Sequence, residues 1–164
     1  MLCANEIRRR GDNRVIAYTE EGDRNPDRPL IICLHGAPGS VRDFRYIAPV
    51  FAKDFNVLRI DIPGHGSSPS TTCPKLDNES IGETILEALD SLGYSSSTKI
   101  TVVGHSLGGG IAFHLAAKHS DRIASLVLIN SLGARPHKGI SPTYLKIDLT
   151  KVSCLVVESY NRVT

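Results

Sequence analysis

Four short apolar runs, each ending in small or turn-forming residues, constrain this chain more than any other feature. Pro29-Leu30-Ile31-Ile32-Cys33-Leu34 stops at His35-Gly36, and Val57-Leu58-Arg59-Ile60-Asp61-Ile62 stops at Pro63-Gly64. Lys99-Ile100-Thr101-Val102-Val103 stops at Gly104, and Ala124-Ser125-Leu126-Val127-Leu128-Ile129-Asn130 is the fourth. Continuous apolar runs of this length fit strands buried on both faces. Helical periodicity lies between them. Residues 79–92 put Ile81, Ile85, Leu86, Leu89 and Leu92 on one face, with Asp77 or Asn78 available as N-cap and Gly93 as a stop. Residues 107–119 do the same with Ile111, Ala112, Leu115 and Ala116, and residues 41–54 carry a weaker pattern interrupted by Pro49. Strands alternating with helices predict an α/β fold: a mostly parallel twisted sheet with right-handed crossovers and helices on both faces. Residues 3–9 and 14–20 flank Gly11-Asp12-Asn13 and predict an N-terminal antiparallel hairpin.

Composition narrows the partners. Over 164 residues, 19 Lys+Arg stand against 17 Asp+Glu, a near-neutral balance that removes the electrostatic case for nucleic acid or an acidic membrane surface. The run Arg8 to Arg10 is short and reads as a solvated turn. No stretch approaches the ~18 apolar residues that cross a bilayer. The N-terminal residues lack the basic-then-apolar pattern of a secretory signal, so the expected compartment is the cytoplasm. Cys3, Cys33, Cys73 and Cys154 are too scattered for a zinc or redox motif, and a disulfide framework is not expected. Asn78-Glu79-Ser80 reads as a helix cap rather than a glycosylation acceptor.

In parallel sheets ligands meet the protein at the carboxyl ends of the strands, so the residues after each apolar run matter most. After the third run comes Gly104-His105-Ser106-Leu107-Gly108-Gly109. A Gly-x-Ser-x-Gly string is weak alone, but here it falls where a strand turns into a helix. A sharp turn at that point lifts a serine hydroxyl out of the sheet. Gly104 and Gly108 flank the turn where side chains would collide with neighbours, and the helix start offers unpaired N–H groups beside the serine. A glycine-rich loop that merely starts a helix is the plainer alternative. Neither GxGxxG nor GxxxxGK[ST] ends any strand, which argues against dinucleotide or nucleotide phosphate binding. After the first run, His35-Gly36-Ala37-Pro38-Gly39-Ser40 lets backbone approach a substrate closely. The Ala37 and Leu107 N–H groups would together form a two-donor oxyanion hole. A tight turn into the next helix is the structural alternative, and His35 reads as a packing or hydrogen-bonding residue of this loop rather than a general base.

His35-Gly36-Ala37-Pro38-Gly39, then Asp61-Ile62-Pro63-Gly64-His65-Gly66-Ser67-Ser68, then Gly104-His105-Ser106-Leu107-Gly108-Gly109 resemble three successive signatures of the α/β-hydrolase fold family. Their order matches, each follows a strand, and the resemblance covers about residues 5–133. It implies Ser106 as nucleophile, Ala37 and Leu107 as oxyanion donors, and residues 61–68 as a structural loop without direct chemistry. Family members with serine at the elbow are mostly esterases, lipases, thioesterases or related acyl hydrolases. The epoxide hydrolases and haloalkane dehalogenases that share the first motif have aspartate there. Ser106 thus implies acyl transfer from an ester, thioester or amide, a small-molecule acyl substrate or apolar ligand, and no metal or cofactor.

The pattern then breaks. An elbow serine needs a histidine and an acid, and in this family both follow it in the order Ser, Asp/Glu, His. After Ser106 the histidines are His114, His119 and His137. At 1.5 Å rise per residue His114 lies ~12 Å from Ser106, beyond hydrogen-bond reach, and His119 lies farther. His137 stands where the family begins its substrate-covering cap. Residues 151–164 faintly resemble the family's next strand, which puts Glu158 or Asn161 near the acid's position. The resemblance therefore divides the chain at residue 133: residues 1–133 form the N-terminal part of the hydrolase domain with an incomplete core, and residues 134–164 a short irregular segment, a remnant of cap and next strand. On this reading the chain is a truncated hydrolase, weak or inactive as a monomer. Its strand at 124–130 becomes an open apolar edge that can pair with another copy. A non-catalytic binding or regulatory domain, or an incomplete gene product, is the competing expectation.

Overall fold

The fold is that of a computed structural model, and the structure describes residues 5–8, 15–132 and 152–157. Strands β1 (Asn5–Arg8) and β2 (Val15–Glu21) form the antiparallel hairpin anticipated from their turn signal, pairing Asn5 with Tyr18 and Arg8 with Val15. The turn itself lies outside the described residues. β3 (Leu30–Leu34), β4 (Asn56–Ile60), β5 (Ile100–His105), β6 (Ile123–Ile129) and β7 (Ser153–Val157) are mutually parallel. The sheet runs in the order β1-β2-β4-β3-β5-β6-β7, with β2 antiparallel to β4.

Period-two alternation splits the core across the two faces of the sheet. Leu30, Ile32 and Leu34 of β3 face the larger cluster, which includes Leu58, Ile60, Val102, Leu126 and Leu128. Ile31 and Cys33 face a smaller one with Val57 and Val103. The larger face is covered by α2 (Asn78–Ser91) and α3 (Leu107–Lys118), whose Ile81, Ile85, Leu89, Ile111 and Leu115 are buried in it. α2 starts where expected: the Asp77 carboxylate caps it by accepting the Ser80 N–H at 2.7 Å, and the chain leaves it through Gly93 at φ +83°. Cys33 is 1% exposed, and burial pushes its thiol up to about 12, so it packs as a small apolar group.

Three expectations are corrected. Residues 41–54 form no continuous helix: a 3₁₀ turn, Val41–Phe44, precedes the four-residue α1 (Ala48–Phe51), and together they cover the smaller face through Phe44 and Ala48. Pro49 lies in the first turn of α1, where its missing N–H costs nothing, so it begins a helix rather than interrupting one. The third strand does not stop before Gly104; β5 continues through His105, with Gly104 paired to Leu34 on one side and Leu128 on the other. The strand at 124–130 is not an open edge, because β7 covers it from Ser125–Ser153 to Ile129–Val157. Among the described strands β7 is the last on that side, and its Leu155 is 59% exposed. Among the described residues no helix is long and apolar enough to cross a membrane.

Candidate active site

Ser106 occupies the one-residue junction between β5 and α3, with φ +48° and ψ −110°. A side-chain-bearing residue holds such a conformation only when its surroundings impose it, at a cost of about 1–3 kcal/mol. Here the backbone is pinned on both sides. The Ser106 N–H donates to the Ile129 carbonyl at 3.1 Å, and its own carbonyl accepts the N–H groups of Gly109 (3.1 Å), Gly110 (3.3 Å) and Leu132 (3.0 Å). The side chain makes no capping bond to α3, and the residue is half-buried. The hydroxyl therefore stands at the positive end of a helix without being consumed by it.

Two glycines make the turn possible. A Cβ on Gly104 would sit 2.5 Å from the Gly108 carbonyl oxygen and 2.7 Å from the Gly109 Cα, and a Cβ on Gly108 would overlap the Leu34 carbonyl. At both positions the close approach of other backbone leaves no room for a side chain.

The loop after β3 closes on the same point. Gly36 backs onto the elbow so tightly that a Cβ there would lie 3.1 Å from the Ser106 Cβ. Ala37, the next residue, is exposed, and Leu107 is half-buried at the first position of α3. Among the described residues neither the Ala37 nor the Leu107 N–H donates to a backbone carbonyl. The structure thus brings Ser106, Leu107, Gly104 and Gly108 together at the end of β5, and sets Ala37 beside them.

His35 holds this loop from beneath. It is 1% exposed; its Nδ1–H donates to the Gly36 carbonyl at 2.7 Å, and its Nε2 accepts the Ile62 N–H at 3.0 Å. Those two bonds fix a neutral tautomer, and burial holds its pKa below the usual imidazole value. Asp61, 1% exposed, accepts the Val41 N–H at 2.6 Å and the Ser67 N–H at 2.8 Å, joining the loop after β4 to the turn after β3. Gly66, at φ +55°, passes so close that a Cβ would overlap that carboxylate. Residues 61–68 are thus a strut for the site. Sequence reasoning did not single out Arg59, whose Nη1 donates to the Val41 carbonyl at 2.7 Å and whose Nη2 pairs with Glu21. The available signal was a charge inside an apolar run.

The two described histidines after Ser106 are placed elsewhere. His114 is buried in α3, and His119 caps that helix with its Nε2 2.7 Å from the Glu83 carboxylate of α2. His137, Glu158 and Asn161 lie outside the described residues. Among the described residues no group of three or more His, Cys, Asp or Glu side chains is arranged to hold a metal ion.

Residues 29–150 match the alpha/beta hydrolase fold family. The chain is 32% identical to mouse epoxide hydrolase 4 over 78% of its own length and 33% of that protein's. To the esterase YbfF of Escherichia coli it is 32% identical, over 70% of this chain and 42% of the esterase. Among solved structures, a bacterial membrane phospholipase A matches with TM-score 0.71 and 26% identity over 83% of this chain and 42% of its own. The chain spans less than half the length of these relatives. A match over most of the chain, on a sheet of the same architecture, shows that it belongs to the α/β-hydrolase fold family.

Proposed function

We propose that this chain carries the nucleophile and oxyanion hole of a serine acyl hydrolase acting on an ester, thioester or amide. The observation that carries the reading is the backbone of Ser106, held at positive φ between β5 and α3 with its hydroxyl uncommitted to the helix. The Ser106 Oγ attacks the acyl carbon and its proton passes to a base. The carbonyl π electrons move onto oxygen, where the Ala37 and Leu107 N–H groups receive the charge; as they return, the bond to the leaving group breaks, that group takes the proton back from the base, and water then cleaves the acyl-enzyme to the acid and free Ser106. Elbow serine, rather than the aspartate of epoxide hydrolases, favours acyl transfer. Asp61 and His35 act as supports, and neither touches the substrate.

Among the described residues, His114 and His119 face α2 rather than Ser106, and an elbow and oxyanion hole acting without a triad base supply roughly 10³–10⁴-fold over water. A second reading, a non-catalytic domain that keeps the pocket and binds an apolar ligand, draws on the same placement of His119 against Glu83. We further read residues 1–133 as the N-terminal part of the hydrolase domain, residues 134–164 as the segment entering its cap and next strand, and the cytoplasm as its compartment.

A fluorophosphonate probe and a p-nitrophenyl ester assay, each with Ser106→Ala, test the proposal. Weak labelling and slow turnover that both vanish in Ser106→Ala support it. Labelling that persists in the variant removes Ser106 as the nucleophile, and ligand binding with no labelling favours the second reading.

A further inference from the structure

The end of the sheet opposite Ser106 holds a cavity of about 690 Å³ that acyl chemistry does not use. It lies where Pro29, Asn56 and Lys99 mark the starts of β3, β4 and β5, so the parallel strands run from it toward the elbow. Its charge is one-sided: Arg24, Arg28 and Lys99 line it against the single carboxylate of Asp27.

The three cations are anchored. The Arg28 Nη1 donates to the Ala52 carbonyl at 3.1 Å, and the Lys99 Nζ donates to the Asp121 carbonyl at 2.5 Å. The Arg24 guanidinium lies 4.0 Å from the centre of the Tyr94 ring. The groups these contacts reach are two backbone carbonyls and a phenol ring, and Arg24 and Lys99 remain exposed. Glu20 accepts the Tyr94 hydroxyl at 3.2 Å and does not line the cavity. The C-terminal end of α2 reaches the cavity through Leu92 and Gly93, and free carbonyls there would repel an anion. Two carbonyls of that last turn are occupied: the Gly93 N–H donates to Asp90 and the Tyr94 N–H to Leu89, each at 2.9 Å.

We propose that this cavity is a second ligand site, taking a small molecule that bears phosphate groups. A guanidinium presents paired N–H donors to two phosphate oxygens, and an ammonium adds a compact positive charge, so two of the first and one of the second suit a multiply charged anion. Ser97, whose hydroxyl shares a hydrogen bond with that of Ser95 at 2.8 Å, and Thr98 also line the cavity. The volume lies within the range that encloses small-molecule ligands. Such a ligand and an acyl compound at Ser106 would occupy opposite ends of the same strands, so the proposal does not depend on the hydrolase reading.

Inorganic pyrophosphate titrated into the 164-residue chain by isothermal calorimetry tests it. The expected result is saturable binding of one equivalent that weakens as salt is raised, and weakens at least tenfold when Arg24→Gln and Lys99→Gln are combined. Asp27→Asn should tighten binding severalfold, a gain that a folding defect cannot produce. Arg42→Gln, an exposed arginine in the turn before α1 that does not line the cavity, should bind as the parent does. Absence of saturable binding, or equal affinity in the parent, the double variant and Asp27→Asn, overturns the proposal.

Discussion

The Gly108 N–H donates to the His35 carbonyl at 3.1 Å, fastening the first turn of α3 to the loop that carries Ala37. The elbow and the second half of the proposed oxyanion hole therefore share one backbone bond. A Cβ at Gly108 would overlap the Leu34 carbonyl and force the two segments apart. Gly108→Ala is expected to cost about 1–3 kcal/mol, the usual range for overpacking. Thermal unfolding followed by circular dichroism should show a drop of several degrees. Labelling of the folded variant by a fluorophosphonate should fall further than its stability does, and unchanged labelling would separate this contact from the chemistry.

The Asp61 carboxylate accepts two backbone N–H groups from different loops. In Asp61→Asn one of those donors must face an amide NH₂, and a buried donor left without an acceptor costs about 1–3 kcal/mol. Gly66→Ala puts a Cβ into the same carboxylate and should be at least as harmful. Urea denaturation should show lower midpoints for both variants. A Gly66→Ala protein as stable as the parent would mean that the loop relaxes freely and is no strut.

Burial lowers the pKa of both His35 and His114. A buried imidazole with a depressed pKa binds fewer protons folded than unfolded, so stability rises with pH through this window. The contribution is complete above the unfolded value of about 6.5 and is lost as pH falls toward the folded values. Urea midpoints measured between pH 8 and pH 5 should fall with acidification. The His114 Nε2 is buried without a hydrogen-bond partner, so His114→Leu should flatten the profile and help more at pH 5.5 than at pH 8. Identical slopes for parent and variant would clear His114 of any part in it.

Ester turnover is expected to be slow and strictly dependent on Ser106. Against p-nitrophenyl acetate, the parent rate should stay within about 10³–10⁴-fold of water, and Ser106→Ala should return it to background. His119→Ala should leave the parent rate unchanged, because its imidazole is spent on Glu83. A loss of activity in His119→Ala would identify the missing base.

Much of the fold was legible as pattern. The four apolar runs became β3 to β6, and the residues between them became α2 and α3, because burial on two faces and burial on one face leave different periodicities. Asp77 and Gly93 announced the ends of α2 because capping is chemistry local to a few residues. The split of residues 41–54 was harder to read. Whether Pro49 breaks a helix or opens one depends on where the preceding turn docks, and that docking is set by Asp61, twenty residues downstream of Val41.

By itself the sequence determined the fold class, the serine, and the glycines that let backbone pass backbone, because each is written in neighbouring residues. Only the tertiary structure decided which groups support the site and which cannot serve it. The His35 ring nitrogens are consumed by Gly36 and Ile62, and His119 belongs to Glu83. β6 is paired on both sides, by β5 and by β7. Each of these outcomes depends on which distant segments share a hydrogen bond, and the order of residues along the chain does not carry that information.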